Sequence, residues 1–407
     1  MAAVGLLGGA VGAWFAGPVS ARIGRTRVMA LAGALIAAGS LCASFSGGTV
    51  TLGVSRVLVG FGIGAASAVV PSYIGEISPT RIRGRLGSLW QLAIVVGQFV
   101  GLLGSFGLTL LAGGEAEPLW PGVAAWRWMF ATVAIAAALY AIVARVLPRS
   151  PQDLMRQGDK AGARALLERL GEESAERRIA EMGETRSDGT RPATLRDLRG
   201  PLAGLKPIVW TGIGLAVFQQ LLGISVVKTY SNTLWQAVGS SSSAAFGTSI
   251  FTVGVSVVST VIAIFIIDKV PRRTMLGWGA AVSALALGVL AVCFSMATEG
   301  PNGPEIGGTT GWVALVAVNV FSLAFGVTWG PIMWVMLSEL FDGDLRVSAV
   351  AVCTALNWTF NWPVTRTFPL LAAWDFGIAY GIFTVFAVLA LVFAIKVLPE
   401  TRDERLS

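Results

Sequence analysis

The sequence contains no histidine. That absence excludes an imidazole proton relay, a histidine general base and any histidine-ligated metal centre. Cysteine is almost as scarce. Cys42, Cys293 and Cys353 each lie inside an apolar run, and none belongs to a CxxC pair. They read as small core residues rather than as disulfide or zinc ligands. Charge is thin as well: Asp, Glu, Lys and Arg together make up 13% of 407 residues. No nucleophile–base pair and no metal constellation emerges from so few groups, so neither an enzyme nor a bound metal or cofactor is expected. There is also no basic stretch ahead of the first apolar segment, hence no sign of a secretory leader.

What fills the chain instead is apolar. Hydrophobic residues are 54% of the sequence, and the mean hydropathy is +0.71. Apolar runs of about 20 residues recur throughout, which is the length that crosses a bilayer as a helix. Eleven spans are expected, near 1–20, 28–46, 50–75, 86–112, 126–147, 207–238, 244–267, 275–298, 311–337, 347–372 and 376–398. The formal charge of +7 does not point to nucleic acid. The basic residues sit in short loops between spans, where they set orientation. Arg22, Arg25 and Arg27 lie in one such loop, with Arg81, Arg83 and Arg85 in the next of the same set. Lys269, Arg272 and Arg273, then Arg346, continue that set. The alternate loops carry Glu115, Glu117, Glu299, Glu305 and Asp375, with Arg127 as the one exception. The basic set, the 149–206 segment and the C-terminus are therefore expected in the cytoplasm.

Residues 149–206 form the one long polar stretch. Leu154, Ala161, Ala165 and Leu166 have helical spacing there, so short amphipathic helices are expected, followed by a flexible piece from Arg186 to Pro192. This segment divides the chain into five spans (1–148) and six (207–398), with a tail at 399–407. The two parts echo each other. Glu76 precedes Arg83 by seven residues, and Glu339 precedes Arg346 by the same spacing. The turn from Arg22 to Met29 resembles that from Lys269 to Met275. Repeated bundles around a central site are a transporter signature.

One polar pair stands out inside a span. Gln219 and Gln220 lie within the apolar run from Pro207 to Val238, and Gly223 follows them. A carboxamide at membrane depth needs a partner. It offers both a donor and an acceptor without charge, which suits a neutral, hydroxyl-rich solute. Hydrogen bonding to a neighbouring helix is the alternative.

Several motifs occur in a fixed order. They are Arg56-Val-Leu-Val-Gly-Phe-Gly-Ile-Gly64, Pro71-Ser-Tyr-Ile-Gly-Glu-Ile-Ser-Pro79 with Arg83-Gly84, the Gln219-Gln220 stretch, Trp329-Gly-Pro-Ile-Met-Trp334 with Ser338-Glu339, Asn357-Trp358, and Pro399-Glu-Thr401. Together they resemble the sugar porter family of the major facilitator superfamily, over nearly the whole chain. The resemblance implies an all-α membrane protein of two helical bundles. It implies transport of a sugar, most simply a monosaccharide, by alternating access in the plasma membrane, by a monomer. It carries sugar contacts onto Gln91, Gln219, Gln220, Trp334, Asn357 and Asn361. Carboxamides pair with ring hydroxyls, and an indole covers the apolar face of a pyranose. Packing inside the bundle is the alternative for Trp334, Asn357 and Asn361.

Glu76, Arg83, Glu339 and Arg346 resemble the family's cytoplasmic charge network, with Arg22, Arg25, Asp268, Lys269, Arg272 and Arg273 beside them. Topogenic positive charge alone would also place these arginines there. Some positions depart from the family. Its first helix, which bears an acid in proton-coupled members, has no counterpart before Met1. Ala21 stands where an acid is usual, Pro271 where a glycine is, and Ser225 and Ser256 where asparagines are. Arg56, Lys228 and Arg366 are cations inside spans, each costing about 2.5–3.5 kcal/mol at a helix centre if unpaired. Two further readings follow: a carrier of an acidic solute such as a sugar acid, using Lys228, or a non-transporting remnant or sensor. Apart from the solute, the partners expected are the bilayer and, in a symporting form, protons. Nucleic acid is not among them.

Overall fold

The computed structural model describes residues 4–120, 122–172, 174–187, 195–229, 242–300, 303–306, 308–341 and 345–401. Nearly all of it is helix. The first five spans are α1 (Val4–Ile23), α2 (Arg25–Ser44), α3 (Thr49–Ile77), α4 (Arg83–Ala112) and α5 (Ala125–Val146). Three short helices follow: α6 (Pro151–Arg156), α7 (Lys160–Arg169) and α8 (Ala175–Ser187). Then come α9 (Pro207–Leu221), α10 (Ile224–Thr229), α11 (Ser242–Ile266) and α12 (Arg272–Ser295). A two-stranded hairpin, β1 (Thr298–Gly300) and β2 (Gly303–Glu305), leads to α13 (Gly308–Val327), α14 (Trp329–Leu340), α15 (Leu345–Trp374) and α16 (Phe376–Lys396). Among the described residues, nine helical segments are long and apolar enough to cross a membrane.

The helix ends follow local chemistry. Leu147 is extended because Pro148 follows it, and α5 stops there. Ser150 caps α6, its hydroxyl accepting from the Asp153 N–H at 3.2 Å, with Pro151 in the first turn. Asp159 caps α7 and Asp375 caps α16 in the same way, each at 2.8 Å.

Two of the expected single spans are broken. The run from Pro207 breaks after Leu221, and Gly223 has φ +84°, the left-handed region that glycine enters freely. A side chain at Gly223 would also meet the Phe383 ring at 2.9 Å. The remainder of that expected span, residues 230–238, lies outside the described residues. The second break separates α13 from α14 at Thr328. Pro331 falls in the first turn of α14, where its missing N–H costs no helical bond.

The chain divides into two compact units. The first holds residues 1–87, 104–213 and 337–359. Inside it α1 packs on α3, and α2 packs on both α3 and α5. Glycine makes the α1–α3 approach possible. A Cβ at Gly64 would lie 1.9 Å from the Gly9 carbonyl oxygen, and one at Gly60 would lie 1.9 Å from that of Gly5. The four-residue spacing on both helices is the small-residue pattern that lets membrane helices meet backbone to backbone. Trp358 covers Gly9 in the same unit and donates to the Ser67 hydroxyl at 3.2 Å.

The second unit holds residues 88–103, 214–336 and 360–407. There α12 packs on α13 and α16, and α11 packs on α13. Trp329 is fully buried and donates its indole N–H to the Leu276 carbonyl at 3.0 Å, tying α14 to α12. Large apolar side chains such as Leu111, Ile135 and Leu285 remain exposed, as lipid-facing positions do in a spanning helix.

Candidate functional site

A buried charge cluster lies in the first unit. Gly24, with φ +91°, separates α1 from α2 and delivers Arg25 to the first turn of α2. The Arg25 side chain is fully buried. Its guanidinium donates to Glu76 Oε1 at 2.9 Å and to Asp153 Oδ1 at 3.2 Å. It also reaches the Ser20 carbonyl, five residues back, at 3.3 Å. The backbone N–H of Arg25 donates to Asp153 Oδ2 at 2.9 Å, so α6 caps α2. Glu76 brings in the end of α3, and its Oε2 is buried without a hydrogen bond among the described residues.

Arg178 of α8 completes the arrangement. It pairs with Glu172 at 2.8 Å and donates to the carbonyls of Glu76 at 2.9 Å and Ser78 at 3.0 Å. A cation thus satisfies the C-terminal carbonyls of α3, where the helix dipole favours it. Sequence reasoning anticipated Arg25 and Glu76 but missed Asp153, Glu172 and Arg178. Arg22 is exposed, and the Arg83 side chain lies outside the described residues. Arg346 folds back onto the Phe341 carbonyl at 2.8 Å, and Glu339 is half-buried.

The second unit repeats this construction. The backbone N–H groups of Arg272 and Arg273 donate to the two Glu400 oxygens at 2.9 and 3.1 Å, so Glu400 caps α12. Arg272 pairs with Asp268 at 3.5 Å and reaches the Ile267 carbonyl, again five residues back, at 2.8 Å. Arg273 reaches the Ile395 carbonyl. Lys269 lies in the turn just before α12.

Most of the expected sugar contacts lie in the second unit. Gln219 and Gln220 close α9 and are both buried. Gln220 donates to Gln219 Oε1 at 3.2 Å, and the Ser225 hydroxyl donates to Gln220 Oε1 at 3.0 Å. The break at Gly223 lets Ser225 turn back to the pair. Gln91, also buried, lies beside the start of α14: a Cβ at Gly330 would be 3.3 Å from its Nε2. One turn further along α14, the Trp334 ring meets the Trp90 ring edge to face, with centroids 6.2 Å apart. Asn361 accepts from the Thr365 hydroxyl at 3.0 Å. Asn357 is buried and belongs to the first unit. Ser256 is buried and donates to the Thr252 carbonyl at 3.2 Å, so its hydroxyl serves its own helix.

The intramembrane cations differ from one another. Arg56 stacks on the Phe130 ring, 4.8 Å from its centroid. Arg366 is exposed on α15, eight residues before its last residue, Trp374. The Lys228 side chain lies outside the described residues. No group of histidine, cysteine and acidic residues suited to a metal occurs among the described residues.

A family model described as "Sugar (and other) transporter" matches residues 1–407. The chain belongs to this family. A glucose transport protein of Synechocystis sp. is 39% identical over 403 residues, covering 98% of this chain and 86% of that protein. An arabinose-proton symporter of Bacillus subtilis is 30% identical, covering 98% and 83%. Among solved structures, the proton:xylose symporter XylE with 6-bromo-6-deoxy-D-glucose superimposes with a TM-score of 0.86 at 28% identity, covering 99% of this chain and 86% of that one. The helical transporter fold expected from the motifs is therefore the observed one, with a single short β-hairpin added among the described residues. The protein is a multi-pass membrane sugar porter of the major facilitator superfamily and not an enzyme.

Proposed function

We propose that this porter carries a neutral monosaccharide across the cell membrane by alternating access. Gln91, Gln219, Gln220, Ser225, Trp334, Asn357 and Asn361 form its sugar contacts. The observation that carries this reading is the Gln219–Gln220–Ser225 chain of buried, uncharged hydrogen-bonding groups at a broken helix. Such groups match hydroxyls in both donor and acceptor sense and repel no neutral solute. Trp334 supplies the flat apolar surface that covers the C–H face of a pyranose. The relatives' named sugars, glucose, arabinose and xylose, are all of this class.

The charge cluster around Arg25 has a separate role. It ties α2, α3 and the short helices together at the end of the spans that bears the basic loops. In this reading it holds that end closed in one state and must open in the other, together with its counterpart at Asp268, Arg272 and Arg273 and with Glu339 and Arg346. The functional halves are residues 1–148 and 207–398, with 149–206 and 399–407 in the cytoplasm. Counterflow in proteoliposomes with a panel of aldoses tests the substrate. Exchange of labelled D-glucose or D-xylose, competed by unlabelled monosaccharide and not by sugar acids, is the expected result. Exchange of sugar acids alone would defeat the neutral-sugar reading.

A further inference from the structure

Trp90 immediately precedes Gln91 on α4. Its ring meets that of Trp334 with centroids 6.2 Å apart and planes 85° apart. Gln91 lies against Gly330, one turn before Trp334 on α14. Two consecutive side chains of α4 therefore dock on one face of α14. The indole N–H of Trp90 is buried and has no acceptor among the described residues. Indole nitrogen only donates, and a donor shut away from water without an acceptor is unfavourable. Phenylalanine would give the same edge-to-face packing without that burden. The nitrogen thus marks a spot that an acceptor can complete.

We propose that Trp90 is a substrate-positioning residue. Its ring fixes the tilt of Trp334, and its N–H donates to one hydroxyl oxygen of the bound sugar beside Gln91. This rests on the sugar-site reading above. The two roles have different consequences. The ring sets how the pyranose stacks. The N–H, which cannot accept, recognises one particular hydroxyl through its oxygen. The carboxamides can rotate to serve either polarity, so they tolerate a change of sugar; the indole does not.

The test is binding of D-glucose and each of its monodeoxy analogues to the full chain, with Trp90→Phe and Gln220→Ala measured in parallel. Trp90→Phe keeps the aromatic contact and removes only the donor. In the unsubstituted protein, loss of the recognised hydroxyl should weaken binding about tenfold, the size of one neutral hydrogen bond. In Trp90→Phe, D-glucose itself should weaken by about the same factor, and that one analogue should no longer be disfavoured. A merely structural role would lower all affinities together and leave the pattern among analogues unchanged, which would overturn the proposal. If Gln220→Ala weakens binding while Trp90→Phe matches the unsubstituted protein throughout, the inference about Trp90 alone fails. If neither variant alters binding, or no sugar of the panel binds, the sugar-site reading fails with it.

Discussion

The backbone N–H of Arg25 donates to the carboxylate of Asp153, 128 residues further along the chain. Arg272 and Glu400 make the same bond at the same 2.9 Å and the same separation of 128 residues. In each case the acid follows a Leu-Pro step, Leu147-Pro148 or Leu398-Pro399. In each case the arginine also turns back to a carbonyl five residues earlier. The internal repeat is therefore one of mechanism: a carboxylate from beyond a bundle's last span caps the helix that follows its first basic turn.

The two caps should differ in strength. Arg25 and Asp153 are buried, whereas Glu400 is half-buried. Asp153→Ala leaves Arg25 with Glu76 but takes away one of its two carboxylates and the cap. Its cost should approach the ~3–5 kcal/mol of a broken buried pair. Glu400→Ala removes a cap in a wetter setting and should cost about 0.5–2 kcal/mol. Thermal unfolding of the purified protein in detergent measures both. A larger loss from Glu400→Ala would contradict the burial argument.

Much of this was legible in the sequence, and the reasons are physical. Nine segments among the described residues are helices long and apolar enough to span, because a bilayer demands about 20 apolar residues and leaves little choice of structure. Gln219-Gln220 announced itself by polarity within a run, and Gly223 by the freedom it gives the backbone just beyond. Asp153 was missed, and Glu400 was read only as part of the Pro399-Glu-Thr401 motif and not as a cap, although the repeated Leu-Pro step before each acid was available as a signal. Arg178 had no signal at all. It is one of several charges in α8, and only the fold brings it under the end of α3. Trp90 was hidden for a similar reason. One more aromatic in an apolar helix is unremarkable until its partner, on a helix more than two hundred residues later in sequence, is known.

The α1–α3 contact should be intolerant of any side chain. The hypothetical Cβ of Gly64 lies 1.9 Å from a backbone oxygen, which cannot swing aside as a flexible side chain would. Gly64→Ala should therefore force the helices apart and sharply reduce the yield of folded protein. Gly97→Ala is the control, because nothing lies within 4 Å of its added carbon. Size-exclusion profiles of the two variants compare them. Equal, monodisperse recovery would refute the close-packing argument.

Loss of carboxamide partners should show as weaker affinity with folding intact. Gln91→Ala, Gln220→Ala and Asn357→Ala each leave a sugar hydroxyl or a neighbouring side chain unpaired. That is worth on the order of 1–3 kcal/mol, so affinity should fall about tenfold or more. Gly330→Ala should act more mildly on the same site, since its added carbon would press on Gln91 Nε2 at 3.3 Å. Isothermal titration with the best-transported monosaccharide reads all four. Normal affinity in the three alanine variants of Gln91, Gln220 and Asn357 would make these groups packing contacts.

Orientation is open to direct labelling. Lys160 and Glu117 are both exposed, one at the start of α7 and the other between α4 and α5. After Cys42, Cys293 and Cys353 are replaced, a cysteine at 160 should react with an impermeant reagent only from the cytoplasmic side, and one at 117 only from outside. Reaction of both from one side would reverse the assignment of the basic loops.

Coupling to protons needs a group within the pathway that gains and loses a proton at working pH. The sequence has no histidine. Glu76 and Glu339 lie at the ends of α3 and α14, and Asp268 and Asp375 lie at or beyond helix ends; none is at mid-span. Glu76 is paired with the Arg25 guanidinium and Asp268 with that of Arg272. Arg56 is inside a span, but a guanidinium does not release its proton under physiological conditions. Assayed as these 407 residues, the protein should therefore equilibrate sugar rather than concentrate it. The measurement is uptake into proteoliposomes with an imposed inward proton gradient, with and without an uncoupler. Equal plateaus at the external concentration are expected. Accumulation above that concentration, abolished by the uncoupler, would overturn the prediction, with Glu76 the first residue to substitute.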